Sequence, residues 1–173
     1  MLIWFAILSM VLTWMVFQSP ALDYRLVALG AAIPVLEVPF GSGPLHALIT
    51  PTAALALIMV ATQRRRLLRR QLLGIPIGMY MHLVLDGAFM NAQVFWWPFM
   101  GTKLFDAQTP ELSRGLLSGL MELFGVGVAI WAFGRFGLDD PDRRKRFLSS
   151  GQLDRSTMGP SSRGPSQRPG GRR

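Results

Sequence analysis

Five long apolar stretches alternate with short polar or basic breaks along the first 134 residues. A helix needs about 20 apolar residues to cross a hydrocarbon core of roughly 30 Å, so the pattern predicts membrane-spanning helices. They fall at about 1–17, 24–40, 45–62, 72–90 and 115–133. The first lacks the basic n-region and small-residue cleavage site of a signal peptide and reads as an uncleaved span. In the second, Pro34 and Pro39 are expected to distort the exit. A turn, Gly41-Ser42-Gly43-Pro44, leads into the third, which stops at the basic block from Arg64 to Arg70. The fold class expected is therefore all-α: a polytopic membrane protein of about five transmembrane helices in 1–134 and a basic tail over 135–173. From about 151 the tail is rich in Gly, Pro, Ser and Arg without an aromatic and is expected to be disordered. A four-span version, with 21–44 folded back as a re-entrant segment, is the topological alternative.

Composition agrees: half the residues are hydrophobic and only 16% are charged, which argues against an ordinary soluble domain. Placement of charge then selects an orientation. With the N-terminus outside, the inner segments 18–25, 63–71 and 135–173 hold 16 of the 18 basic residues, as the positive-inside rule requires. The C-terminal tail is then cytoplasmic and the protein belongs in the cytoplasmic membrane. The net charge of +8 suits nucleic acid less well, because the basic residues flank apolar runs. Expected partners are membrane lipids, with anionic headgroups at the basic tail, and a membrane protein or a second copy of the chain. The absence of cysteine excludes a disulfide framework, a thiol nucleophile and a Cys-ligated metal.

Ionisable groups within a bilayer cost several kcal/mol each unless paired or hydrated, so the few present are candidates for function. They are Glu37, His46, His82, Asp86 and Glu122. His82 and Asp86 are four residues apart, which puts them on one helix face and suits a shared metal ion or, equally, a structural hydrogen bond. The orientation places all five in the outer half of the membrane. Glu37, His46 and Asp86 fall within roughly 6 Å of the outer boundary, and His82 and Glu122 lie roughly 12 Å deep. The segment 91–113 is too polar to cross; its Phe95-Trp96-Trp97-Pro98-Phe99 run reads as an interfacial anchor or as the lining of a lipid-facing pocket.

These segments resemble the YdjM-like family of bacterial inner-membrane proteins, described as membrane-bound metal-dependent hydrolases, over about residues 28–100. The likeness rests on Pro34-Val35-Leu36-Glu37, Gly43-Pro44-Leu45-His46-Ala47, His82-Leu83-Val84-Leu85-Asp86 and Trp97-Pro98-Phe99. Val35 stands where the family has a first acid, Glu37 replaces the second, and Leu45 and Ala47 replace polar residues beside the histidine. The resemblance implies that Glu37, His46, His82 and Asp86 are the ligand set for a divalent ion such as Zn²⁺.

Two readings of function follow. In the first, a divalent ion on His46, His82 and Asp86 serves hydrolysis at the outer leaflet, with Glu37 as fourth ligand or general base. Arg114 and Lys103 would hold a phosphate, Trp96 and Trp97 would flank a lipid chain, and the substrate would be a lipid or lipid-linked phosphoester. In the second, the same cluster binds a structural metal or locks helix packing in a non-catalytic subunit, and the basic tail recruits a partner or lipid. A transporter is a third and less attractive reading, since no inverted repeat is evident.

Overall fold

Leu2 to Phe17 contains neither glycine nor proline and forms α1, which ends where Gln18 takes a left-handed conformation. Asp23 then caps α2 (Tyr24–Ala32), its carboxylate accepting the N–H groups of Arg25 and Leu26. Pro34 stops α2, and the chain continues as a 3₁₀ segment, Pro34–Phe40, followed by a short 3₁₀ turn, Pro44–His46. Next come α3 (Ile49–Ala61), α4 (Arg66–Leu72) and α5 (Gly74–Asp86). Gly87, at φ +73°, closes α5 in a conformation natural to glycine, and one turn of helix, α6 (Ala92–Phe95), follows. Further along come α7 (Leu116–Arg135), α8 (Pro141–Ser150) and a 3₁₀ turn, Arg155–Thr157. These elements come from a computed structural model that describes residues 1–41, 43–100 and 115–158. Among the described residues all regular structure is helical.

The all-α expectation therefore holds, but the helices are shorter than the apolar stretches. Among the described residues only α7, with 20 residues, is long and apolar enough by itself to cross a membrane; α1 and α3 are apolar but shorter, at 16 and 13 residues. The stretches at 24–40, 45–62 and 72–90 are each realised as an α-helix with a 3₁₀ extension, because Pro34, the extended backbone at Ala47 and the left-handed Gly87 interrupt the α-helical ladder. The basic block, expected as a break, supplies the first turns of α4.

Contacts between named residues give the helix directions. Gly74 packs on Asp23 and Leu26, and Gly78 on Val27 and Ala31, so α2 and α5 run parallel. Gly125 packs on Trp4, and Trp14 stacks edge-on against Phe136, so α1 and α7 also run parallel. Phe5, near the start of α1, lies on His82 near the end of α5, so these two helices are antiparallel. The structure thus has a site end, bearing the start of α1 and the end of α5, and an arginine end, bearing α4 and α8.

The main hydrophobic cluster lies toward the arginine end, where Met10, Val11 and Trp14 meet Leu22, Tyr24, Val27 and Phe136. Residues 151–158, expected to be disordered, join it: Leu153 and Met158 are buried in the same cluster. The polar composition of the segment concealed two apolar side chains at the right spacing to dock. Arg25 holds this C-terminal unit by bonding Asp23 and the Leu148 and Ser149 carbonyls at the end of α8, while Tyr24 N–H donates to Gly151 O at 2.9 Å. A cation at a helix C-terminus is favourable there. Asp154 caps the last turn, and the Ser156 N–H holds its carboxyl below the usual range. Residues 159–173 lie outside the described residues.

Between α2 and α5 the backbones approach so closely that a Cβ on Gly78 would collide with the Val27 carbonyl. Gly78→Ala is expected to destabilise the fold by about 1–3 kcal/mol, as overpacking does. Gly127→Ala, at a position with open space around it, should leave the melting temperature in detergent nearly unchanged; equal effects at both positions would show that the approach is not tight.

Candidate metal centre

Three buried side chains converge at the site end: His46 from the turn before α3, and His82 and Asp86 from the last turns of α5. They are 1%, 0% and 2% exposed, and one donor atom of each lies within 4.8 Å of the others. The His46 and His82 rings cross at 73° with centroids 5.4 Å apart.

Each histidine is oriented through its other nitrogen. His82 Nδ1 is 2.7 Å from the carbonyl oxygen of Ala31. A carbonyl only accepts, so Nδ1 carries the proton and, in the neutral ring, Nε2 carries the lone pair. The partner has a sequence cause: a 3₁₀ continuation of α2 would bond the Ala31 carbonyl to the N–H of residue 34, and Pro34 has none. Phe5 lies against the same imidazole with ring centroids 4.0 Å apart.

His46 Nδ1 donates to Glu37 Oε2 at 3.0 Å. The same carboxylate accepts the Gly43 N–H at 3.1 Å and the Leu45 N–H at 2.9 Å. Glu37 thereby closes the loop between the two 3₁₀ segments and fixes the ring it carries. Such carboxylate–histidine pairs are the usual outer support of a metal-ligating imidazole.

Two imidazole nitrogens and one carboxylate oxygen match the donor chemistry of a divalent first-row ion. The residues fit a metal, and this donor set is shared by several ions and does not single out zinc.

The structure thus brings together three of the four residues that the resemblance implies as ligands. Glu37 stands apart from the trio, on the opposite nitrogen of His46, and also lines an apolar depression of about 580 Å³ with Leu36, Phe40 and Leu45. Glu122 is elsewhere, capping the start of α1 by accepting the Ile3 and Trp4 N–H groups at 3.1 and 3.2 Å. Trp96 is exposed and Trp97 half-buried, on a segment tethered beside the His46 turn by the Leu48 N–H to Phe95 O bond of 2.9 Å. Lys103 and Arg114 lie outside the described residues. Nothing in the sequence marks Phe5 within its apolar run, whereas Pro34 is a readable signal for a freed carbonyl upstream of it.

Comparison of the chain with protein-family models, with curated proteins and with solved structures finds no match.

Glu37→Gln turns one of the two acceptor oxygens into an NH₂ donor facing the loop N–H groups and removes the negative charge opposite His46 Nδ1–H. Metal affinity, measured by competition with a chromogenic chelator, is expected to fall about 10–100-fold, the usual cost of losing such a support. An unchanged affinity would show that Glu37 does not set the ring.

Proposed function

We propose that this is a multi-pass membrane protein that holds a divalent metal ion on His46, His82 and Asp86 and uses it for hydrolysis. The observation that carries the reading is the trio itself, buried, within 4.8 Å, with an acceptor on the Nδ1 of both histidines. The donor set and the hairpin around Glu37 and His46 support kinship with the YdjM-like membrane hydrolases. Five crossing segments, with the site end outward, are supported by the alternation of helix direction, the charge distribution, and the apolar surface of α7, where Leu116, Leu120, Leu123, Phe124 and Ile130 are exposed. Contiguous apolar exposure on that scale suits lipid.

A divalent ion bound there supplies Lewis acidity toward an ester or phosphoester oxygen. His46 and His82 present Nε2 in a fixed tautomer, and Asp86 contributes the negative charge. Glu37 is a positioning residue for His46, not a direct ligand. The depression over Leu36, Phe40 and Leu45 suits an acyl chain beside the site, so the substrate class proposed is a lipid or lipid-linked phosphoester at the outer leaflet. Trp96 and Trp97 would flank the chain, and Lys103 and Arg114 would pair with the phosphate.

The near-complete burial of all three donors favours a second reading, a metal that only ties α5 to the turn before α3. One experiment separates the readings in two stages. Elemental mass spectrometry of detergent-purified protein should find about one divalent ion per chain, lost in His82→Ala/Asp86→Ala. Metal-loaded protein should then release phosphate or headgroup from a panel of lipid phosphoesters, and the double variant should not. Metal without turnover supports the structural reading; no metal in the parent protein overturns both.

Topology has its own test. A reporter fused after Arg173 is expected to be cytoplasmic and one inserted at Thr102 external; finding both on one side would overturn the five-segment arrangement.

A further inference from the structure

A second cavity, of about 500 Å³, opens at the arginine end, far along the fold from the histidines. It lies where the last turn of α1 passes the junction of α4 and α5. Phe17, Leu22, Leu73 and Ile77 supply apolar walls, and Ser19 and the exposed Arg70 supply the polar groups. Its volume is within the roughly 300–1,000 Å³ usual for small-molecule sites.

Arg70 belongs to a block of five arginines, with Arg64, Arg65, Arg66 and Arg69. Among the described residues, none of the five forms an ion pair with a carboxylate, whereas Arg25, Arg143 and Arg146 all do. Arg143, Arg144 and Lys145 on α8 add further positive charge at the same end. An occupant must therefore bring both an apolar body and a negative group. The rest of the tail, 159–173, carries four arginines and no acid, so its charge is wrong for this rim. A second copy would bring the same basic face and be repelled likewise.

We propose that this cavity binds one anionic phospholipid, with an acyl chain against Phe17, Leu22, Leu73 and Ile77 and the phosphate at Arg70. The inference rests on the membrane placement proposed above, which would set this end at the inner leaflet, where anionic headgroups favour arginine.

The test uses full-length protein and two readouts. Resistance of the membrane-bound protein to alkaline carbonate extraction reports on membrane placement alone. Native mass spectrometry of protein equilibrated with equimolar phosphatidylglycerol and phosphatidylcholine then reads lipid preference. The parent protein should retain phosphatidylglycerol preferentially. Arg70→Gln should weaken that preference about fivefold, the size of one arginine at an anionic surface. Arg70→Lys and Arg64→Gln should keep it, and Leu73→Trp, which fills the cavity, should lose phosphatidylglycerol as well.

Extraction by carbonate would overturn the membrane placement, and this proposal with it. A membrane-resident protein whose preference is unaltered by Arg70→Gln would overturn the lipid site alone. Equal losses in Arg64→Gln and Arg70→Gln would point to diffuse surface charge, and abolition of the preference by millimolar glycerol phosphate would point to a free phosphate site; either overturns the proposal.

Discussion

The approach of α2 to α5 at Gly30 and Gly78 sets the rest of the site end. Because neither glycine carries a side chain, the two backbones meet closely enough for Gly30 to touch the Ile75 carbonyl and Gly78 the Val27 carbonyl. That closeness, with the parallel direction of the helices, brings the end of α2 beneath His82. The 2.7 Å bond from His82 to Ala31 spans the same two helices and depends on that spacing. Packing and chemistry are thus coupled through main chain, which has little freedom to adjust.

The same economy governs His46. A carboxylate buried at the edge of an apolar fold is costly unless its oxygens are occupied. Glu37 meets that requirement with two backbone N–H groups and one imidazole, and in doing so it shapes the loop between the 3₁₀ segments. A residue of this kind looks like a ligand in a sequence, because acids near histidines so often are. Its oxygens here are already committed to the loop and to the support of His46.

At the arginine end the organising charge is Arg25. Counted along the chain it is one more basic residue between apolar runs. In the fold it joins the cap of α2 to the carbonyl end of α8 and so holds Leu153 and Met158 in the hydrophobic cluster. The two ends therefore differ in kind: one is built around buried nitrogen and oxygen donors, the other around aromatic packing beside the Arg64 to Arg70 block, whose arginines have no carboxylate partner among the described residues.

Sequence alone determined that the fold is helical, where the apolar segments lie, how the basic residues are distributed, and that His82 and Asp86 share a helix face, because those properties depend on local periodicity and on composition. It also singled out His46 and Glu37 as residues of interest. Only the tertiary structure decided that His46 joins His82 and Asp86 while Glu37 stands behind it, that Glu122 caps α1, and that residues 151–158 pack. Each of those facts depends on which turn of one helix meets which turn of another. Such registers are set by glycine contacts and freed carbonyls between segments distant in the chain, and no local pattern encodes them.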